Sequence, residues 1–224
     1  MRKDSFYKTL RKNRIFTVLF LLWLITVVFL LVLYPKGHWV LQFSQNRSPF
    51  WDGFFFYGTK LGEEWAIIGA AVLLCFVRFR AAIILPLLGL AVMITSSLTK
   101  KLFHHPRPLR VFTDQGMADL LTFVEGVDVH SGPTSFPSGH TMAGFALYTF
   151  LALNISPKNW TGILFFLLAM TVGLSRVYLV QHFLEDVYLG SVIGVVLALY
   201  FYYLQGRLGT KAWLDQKIIL FSRN

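Results

Sequence analysis

The sequence has little charge and almost no cysteine for its length. Charged residues make up 14% of the 224 positions, whereas 55% are hydrophobic and 17% are aromatic. A soluble domain of this length carries more charge, so the composition predicts an integral membrane protein. The single cysteine, Cys75, excludes an intramolecular disulfide and any metal site built from cysteines. No internal repeat and no low-complexity tract occurs in the sequence.

Apolar segments occupy most of the chain. One membrane-spanning helix needs roughly 20 apolar residues. Six segments come close to that length: 15–34, 65–77, 81–98, 141–155, 160–179 and 183–204. The second and the fourth are short and need flanking residues in order to cross. The sequence therefore predicts an all-α integral membrane protein with six transmembrane helices in one bundle, forming a single domain over residues 1–224.

Acidic residues are scarce, with 11 Asp and Glu against 21 Lys and Arg and a net charge of +10. In a membrane protein this excess predicts orientation, not nucleic-acid binding, because Lys and Arg concentrate in cytoplasmic loops. The basic residues that flank the predicted spans at one end are Arg2, Lys3, Lys8, Arg11, Lys12, Arg14, Arg78, Arg80, Lys158, Arg207, Lys211, Lys217 and Arg223. Both termini are therefore predicted to face the cytoplasm of a bacterial inner membrane or plasma membrane.

His182 and Asp186 are four residues apart at the start of the last predicted span. If a helix begins near His182, the two side chains share a face and lie within contact range. A carboxylate bonded to one imidazole nitrogen fixes the tautomer and leaves the other nitrogen basic, which suits a nucleophilic histidine. A helix-capping ion pair is the alternative, and the spacing taken alone favours it.

Residues 137–140 (PSGH) stand just before the fourth predicted span. Exposed N–H groups at a helix start bind anions, and a glycine such as Gly139, beside Ser138, lets the backbone approach an oxyanion closely. His140 is expected in the first helical turn, where a histidine exchanges protons near neutral pH. A proline turn capped by serine is the alternative without function.

Three cations complete the set of candidate residues: Lys100, Arg107 and Arg176. Arginine offers a planar fork that matches phosphate oxygens, and lysine offers a mobile point charge. A transferring phosphoryl group spreads negative charge over three oxygens and needs several donors. Each cation alone is explained by a side chain that reaches the membrane surface. The predicted topology places all three motif regions at the outer face, where ionisable groups are functional candidates.

The motifs KxxxxxxRP, PSGH and SRxxxxxHxxxD together resemble the three-part signature of the type 2 phosphatidic acid phosphatase family, and all eleven positions match between residues 100 and 186. The resemblance implies a metal-independent phosphatase without a cofactor. It implies that His182 attacks phosphorus and forms a phosphohistidine, that Asp186 orients His182, and that His140 protonates the leaving oxygen. The residues that it implies hold the phosphate are Lys100, Arg107, Ser138, Gly139, Ser175 and Arg176.

The implied substrate is a lipid phosphate or pyrophosphate, reached from the outer face of the membrane. Undecaprenyl pyrophosphate, phosphatidylglycerol phosphate, phosphatidic acid and lipid A phosphates all remain open, because the signature residues read the phosphate and not the rest of the lipid. The expected partners are this substrate and the surrounding membrane lipids, with no nucleic acid. The sequence leaves the oligomeric state open.

Other functions account for parts of the same pattern. Vanadium-dependent haloperoxidases resemble the same signature, but those relatives are soluble and the predicted spans argue against that activity. A non-catalytic lipid-binding or transport protein is expected to lose His182 or His140, and both are present. A metal site at His104 and His105 is a further alternative, although no Asp/Glu cluster accompanies them.

Residues 49–57 (PFWDGFFFY) form a dense aromatic cluster before the second predicted span. The segment is too short to cross a membrane. It predicts an interfacial helix at the outer surface, and a lateral gate for a lipid substrate is the functional alternative.

Overall fold

The computed structural model describes residues 13–155, 159–207 and 212–218. Within these ranges every regular element is helical and no strand occurs. The α-helices of the described residues are α1 (Arg14–Leu33), α2 (His38–Gln45), α3 (Pro49–Lys60), α4 (Glu64–Cys75), α5 (Phe79–Phe103), α6 (Pro108–Asp114), α7 (Gly139–Asn154), α8 (Asn159–Tyr178) and α9 (Leu184–Gln205). Two short 3-10 helices cover Ala118–Leu120 and Ala212–Asp215.

A helix coincides with each of the six predicted spans, but the helices differ in length. Among the described residues, four candidate spans are long and apolar enough to cross a membrane: Arg14–Leu33, Phe79–Asp114, Trp160–Tyr178 and Leu184–Gln205. Helices α4 and α7 have only 12 and 16 residues. At 1.5 Å per residue they extend about 18 Å and 24 Å, which is less than the roughly 30 Å of the hydrocarbon core.

Helix α7 lies at the centre of the bundle and packs against α5, α8 and α9. Met142, Phe145 and Phe150 on this helix are almost completely buried. Protein surrounds α7, so the thickness of a membrane does not set its length. Helix α1 is different, because it buries one face and exposes large apolar side chains such as Ile25 and Val32 on the other.

Small residues on α9 allow the close contact with α7. A Cβ atom at Gly190 would lie 2.7 Å from the carbonyl oxygen of Ser138, and one at Gly194 would overlap the carbonyl oxygen of Met142. Helix packing on this Gly190–Gly194 pair is what a small-xxx-small spacing predicts. The contact brings the beginning of α9 beside the beginning of α7, which is the end of the bundle where PSGH lies.

At the opposite end of the bundle, Arg80 near the start of α5 forms a hydrogen-bond network. Its guanidinium donates to the Asp215 carboxylate at 3.1 Å and to the Gln205 carbonyl at 3.1 Å, while the Gln205 amide donates to Asn154 at 2.7 Å. The ends of α7 and α9 therefore meet the start of α5 here. Several residues used for the orientation lie outside the described ranges: Arg2, Lys3, Lys8, Arg11, Lys12, Lys158, Lys211 and Arg223.

Replacing Gly194 by alanine is expected to destabilise the fold by about 1–3 kcal/mol, because the new methyl group overpacks the interface with α7. Gly69→Ala on α4 is the matched control, since nothing lies within 4 Å of a Cβ atom there. The measurement is thermal unfolding of both variants in the same detergent micelles. Equal unfolding midpoints for the two variants would contradict the packing argument.

Candidate active site

The three sequence motifs meet at one end of the bundle. A Cβ atom at Gly139, at the start of α7, would lie 2.7 Å from the Ser96 hydroxyl and 3.8 Å from the Lys100 Nζ atom, both on α5. The Ser138 N–H donates to the Asp186 carbonyl oxygen at 3.0 Å, which ties α7 to the start of α9. Helices α5, α7 and α9 thus deliver their signature residues to a common point.

His182 and Asp186 form a buried pair at this point. The His182 Nδ1 atom lies 3.0 Å from the Asp186 Oδ2 atom, and both side chains are shielded from solvent. The same oxygen accepts the Phe183 N–H at 3.1 Å, so Asp186 also caps α9. The predicted contact between the two side chains is therefore present, and the carboxylate also caps the helix; the catalytic role of the pair stays a prediction. With Nδ1–H directed at the carboxylate, the Nε2 atom keeps its lone pair.

The surroundings of His182 favour its neutral form. Burial is the largest cause, and the positive charges of Arg176, Arg107 and Lys100 act in the same direction, so the pKa of His182 lies well below its ordinary value. A neutral imidazole among three cations keeps a nucleophilic lone pair while the cations attract an oxyanion. This combination suits attack on a tetrahedral anion.

A strained turn between α8 and α9 presents His182. The N–H groups of Gln181 and His182 both donate to the Arg176 carbonyl, at 2.9 and 3.0 Å. Val180 has a positive φ of 59°, which is unusual for a β-branched residue. Such backbone strain costs about 1–3 kcal/mol and persists where the surrounding structure determines it. No sequence signal marks Val180 for this conformation.

Gln181 holds the guanidinium of Arg107. The Arg107 Nη1 atom donates to the Gln181 carbonyl oxygen at 3.2 Å and to its Oε1 atom at 3.1 Å. The Gln181 amide nitrogen then donates to the Asp128 carbonyl at 2.8 Å, which ties the loop between α6 and α7 to the site. Sequence reasoning missed Gln181, and its place beside His182 is the signal that was available.

Arg176 is anchored at one nitrogen and open at another. Its Nη1 atom donates to the Thr59 hydroxyl on α3 at 2.7 Å. Its Nε atom is buried and has no hydrogen-bond partner within the described part of the chain. A buried donor without a partner is costly, so an incoming anion would satisfy it.

The two predicted phosphate-binding hydroxyls make local hydrogen bonds. Ser138 caps α7, and its Oγ atom accepts from the Thr141 N–H at 3.4 Å and from the Thr141 hydroxyl at 2.9 Å. The Ser175 hydroxyl donates to the Val172 carbonyl at 2.7 Å. The N–H groups at the start of a helix have no intrahelical acceptors, so the backbone of this segment is where anion binding is expected.

Ser135 is a further buried residue that sequence reasoning missed. Its hydroxyl donates to the Asp186 Oδ2 atom and lies 3.1 Å from the His182 Nδ1 atom. Ser135 precedes PSGH by two positions and belongs to none of the three motifs. A serine next to a motif is too common to be singled out without the fold.

Two cavities open beside His140. The larger has a volume of about 580 Å³ and lies between α4 and α5, with the apolar side chains Ile67, Ile68, Leu90 and Met93 along it. The smaller, of about 230 Å³, is bordered by polar groups that include Lys60, Asp128, His130 and Arg176. His140 lines both.

The aromatic segment forms α3, which flanks the smaller cavity. Phe56 lines that cavity, whereas Phe55 is buried against the Tyr178 ring with 4.5 Å between ring centroids. Phe50 and Tyr57 are exposed at the surface. The larger apolar opening lies between α4 and α5, so the position of α3 does not support the lateral-gate interpretation.

The contacts of His104 and His105 are those of a helix end and of an aromatic pair. His104 ends α5 with a φ of 45°, and the His105 ring lies 5.2 Å from the Phe136 ring. Within residues 13–155, 159–207 and 212–218, no three His, Cys, Asp or Glu side chains cluster in a way that could hold a metal ion.

Comparison with known proteins identifies similar chains. Residues 80–209 match the family model described as the PAP2 superfamily. The chain is 35% identical to lipid phosphate phosphatase 1 of Arabidopsis thaliana over 71% of this chain, and it spans 55% of the length of that relative. It is 29% identical to lipid A 4'-phosphatase of Bacteroides thetaiotaomicron over 80% of each chain.

Solved structures share the fold. The structure of Aquifex aeolicus LpxE matches with a TM-score of 0.64 at 24% identity, covering 75% of this chain and 94% of that one. A transmembrane PAP2-type phosphatidylglycerolphosphate phosphatase from Bacillus subtilis matches with a TM-score of 0.61 at 20% identity, covering 87% and 97%. At these identities the likeness concerns the fold alone.

Gly139→Ala is expected to weaken binding of a phosphate-like anion about tenfold, because the methyl group displaces Ser96 and disturbs Lys100, and a charge-assisted hydrogen bond is worth about 1.5–3 kcal/mol. Titration calorimetry with orthovanadate in detergent measures the change. Gly132→Ala is the control, since nothing lies within 4 Å of a Cβ atom there. Unchanged affinity in Gly139→Ala would exclude this turn from the anion site.

Proposed function

The chain belongs to the PAP2 superfamily, and from that membership we propose that it is a membrane phosphatase acting on a lipid phosphate monoester or lipid pyrophosphate. The observation that carries the proposal is the position of His140. This residue stands between a cation-rich site around His182 and an apolar cavity of about 580 Å³. A substrate with its phosphate in the cation-rich site and its lipid tail in the apolar cavity would be amphiphilic.

The proposed reaction has two steps. His182 Nε2 attacks phosphorus, the bond from phosphorus to the leaving oxygen breaks, and His140 gives that oxygen a proton that it took up when the anionic phosphate bound. Water then attacks the phosphorus of the phosphohistidine, the bond from phosphorus to His182 Nε2 breaks, His140 takes a proton from the water, and inorganic phosphate leaves. Asp186 holds the Nδ1–H of His182 throughout and stabilises the charge that develops on the ring.

Electrostatic stabilisation is assigned to the three cations. Lys100, Arg107 and Arg176 act on His182 and would face the oxygens of the phosphoryl group as their charge redistributes. The backbone at Ser138 and Gly139 adds N–H groups at the start of α7, and Ser175, whose hydroxyl donates to the Val172 carbonyl, completes the proposed phosphate-binding set. With these donors the proposed mechanism requires no metal ion.

The cavity between α4 and α5 is the proposed binding site of the lipid tail. Side chains at its edge, such as Ile68 and Met93, are exposed and apolar, so a lipid can enter sideways from the membrane. Each buried methylene contributes about 0.8 kcal/mol, so the tail supplies much of the binding energy.

The proposed orientation places the site at the outer face of a bacterial inner or plasma membrane, with all six helices crossing and both termini in the cytoplasm. Arg78 and Arg80 support it, since they begin α5 at the end of the bundle opposite to Lys100. Because α7 is enclosed by α5, α8 and α9, its short length is compatible with crossing inside the bundle.

Lipid A is the second candidate substrate class, beside undecaprenyl pyrophosphate and glycerolipid phosphates. The relative named lipid A 4'-phosphatase covers 80% of both chains, which is a larger share than lipid phosphate phosphatase 1 covers. The residues that would bind phosphate are the same for each class. The lipid body is therefore the variable to test.

Release of inorganic phosphate from undecaprenyl pyrophosphate, phosphatidylglycerol phosphate, phosphatidic acid and lipid A tests the function directly. The assay is run in detergent with EDTA, and the purified protein is expected to retain full turnover because cations of the chain replace a metal. Orthovanadate is expected to inhibit by occupying the phosphate position. Loss of activity in EDTA that Mg²⁺ restores would refute metal independence, and inactivity on every lipid would refute the function.

His182→Ala is expected to abolish turnover and the phosphoenzyme, because no other group replaces the nucleophile. His140→Ala is expected to lower turnover 10²- to 10⁴-fold on lipid esters and far less on activated aryl phosphates, whose leaving groups need little proton donation. His38→Ala is the control, since the His38 ring packs against Tyr34 and Trp39. Turnover by His182→Ala at the level of the unsubstituted protein would contradict the assignment.

Long-chain substrates are expected to be strongly preferred over glycerol phosphate or sugar phosphates.

Met93→Trp fills the cavity and is expected to lower kcat/KM for a long-chain substrate about tenfold, which corresponds to displacing about two methylenes. Leu87→Trp is the control, because this α5 side chain is exposed outside the cavity. Equal efficiency on long and short chains in mixed micelles would mean that the substrate is soluble.

A further inference from the structure

Ser135 lies where the three signature regions touch one another. Its N–H donates to the His105 carbonyl at 2.6 Å, within the first region. Its hydroxyl donates to the Asp186 Oδ2 atom and lies 3.1 Å from the His182 Nδ1 atom, within the third. The second region begins two residues later at Pro137.

The Asp186 carboxylate is held through only one of its two oxygens among the described residues. Oδ2 receives the Ser135 hydroxyl, the Phe183 N–H and the His182 Nδ1–H. Oδ1 is buried and has no hydrogen-bond partner among the described residues. A carboxylate bonded through one oxygen rotates more easily when a donor is removed, so the Ser135 hydroxyl restrains the orientation on which the His182 ring depends.

We propose that Ser135 is a positioning residue for the nucleophile, acting through Asp186 to hold the His182 ring with Nε2 facing the phosphate. The proposal rests on the proposed phosphatase function. Ser135 is completely buried and its hydroxyl is directed at the Asp186 carboxylate, so it is not assigned a catalytic contact. Its effect is therefore expected on the chemical step and not on substrate binding.

A satisfied core hydroxyl is the alternative role for Ser135, and the chain offers a matched control for it. Ser191 is equally buried, lies on the same helix as Asp186, and makes two hydrogen bonds, to the Tyr188 carbonyl at 2.7 Å and from the Trp23 Nε1–H at 3.2 Å. Ser191→Ala removes a buried hydroxyl of the same type without touching the His182–Asp186 pair.

The kinetic arm compares Ser135→Ala with Ser191→Ala on a lipid phosphate and on an activated aryl phosphate. Ser135→Ala is expected to lower kcat about 10- to 100-fold on both substrates, the value of one hydrogen bond to a charged group, with KM within twofold. Ser191→Ala is expected to stay within about twofold in kcat. The loss on the aryl ester separates this role from that of His140, which the good leaving group bypasses.

The spectroscopic arm does not depend on turnover. In protein labelled with ¹⁵N-histidine, the Nδ1–H proton of His182 is expected at low field and is assigned by its loss in His182→Ala. Ser135→Ala is expected to shift it upfield or to broaden it away by exchange with water, whereas Ser191→Ala leaves it in place.

The outcomes separate the two proposals. If the unsubstituted protein releases no phosphate from any lipid, the phosphatase function fails, and the proton resonance alone decides the role of Ser135. If the unsubstituted protein is active, a kcat for Ser135→Ala within twofold of it, an equal fall in Ser191→Ala, or an unchanged His182 resonance overturns the proposal for Ser135.

Discussion

The His182–Asp186 pair is buried at the end of the bundle where α7 and α9 begin. A charged carboxylate inside an apolar bundle is costly unless donors surround it. Three groups donate to the Asp186 carboxylate. The His182 ring and the Phe183 N–H come from the turn before α9, and the Ser135 hydroxyl comes from the segment before α7. The start of α7 and the start of α9 must therefore lie side by side.

The packing of the central helix meets this requirement. Gly190 and Gly194 let α9 approach the backbone of α7, and the Ser138 N–H bonds to the Asp186 carbonyl. Gly139 leaves room for Lys100 from α5, so a cation reaches the same point. Glycines on α7 and α9 thus let the three helices approach closely enough to gather polar side chains at one end of the bundle.

Two cavities of different polarity lead to the site. An apolar cavity between α4 and α5 reaches His140 from one side, and a smaller polar cavity reaches it beside the loop between α6 and α7. Gln181 connects that loop to Arg107 through Asp128. For the proposed reaction this arrangement allows the lipid to remain in the membrane while water and phosphate use the polar side.

From the sequence alone follow the helical membrane class and the family, and the motifs predict the candidate site residues, because apolar length and the fixed spacing of His182, Asp186 and PSGH are local properties. The folded structure was needed to show that α7 is a short enclosed helix, that the larger apolar opening lies between α4 and α5 and not at α3, and that Ser135 and Gln181 contact candidate site residues. These features arise from contacts between segments distant in the chain. A buried serine or glutamine has no spacing that marks it until those segments are packed together.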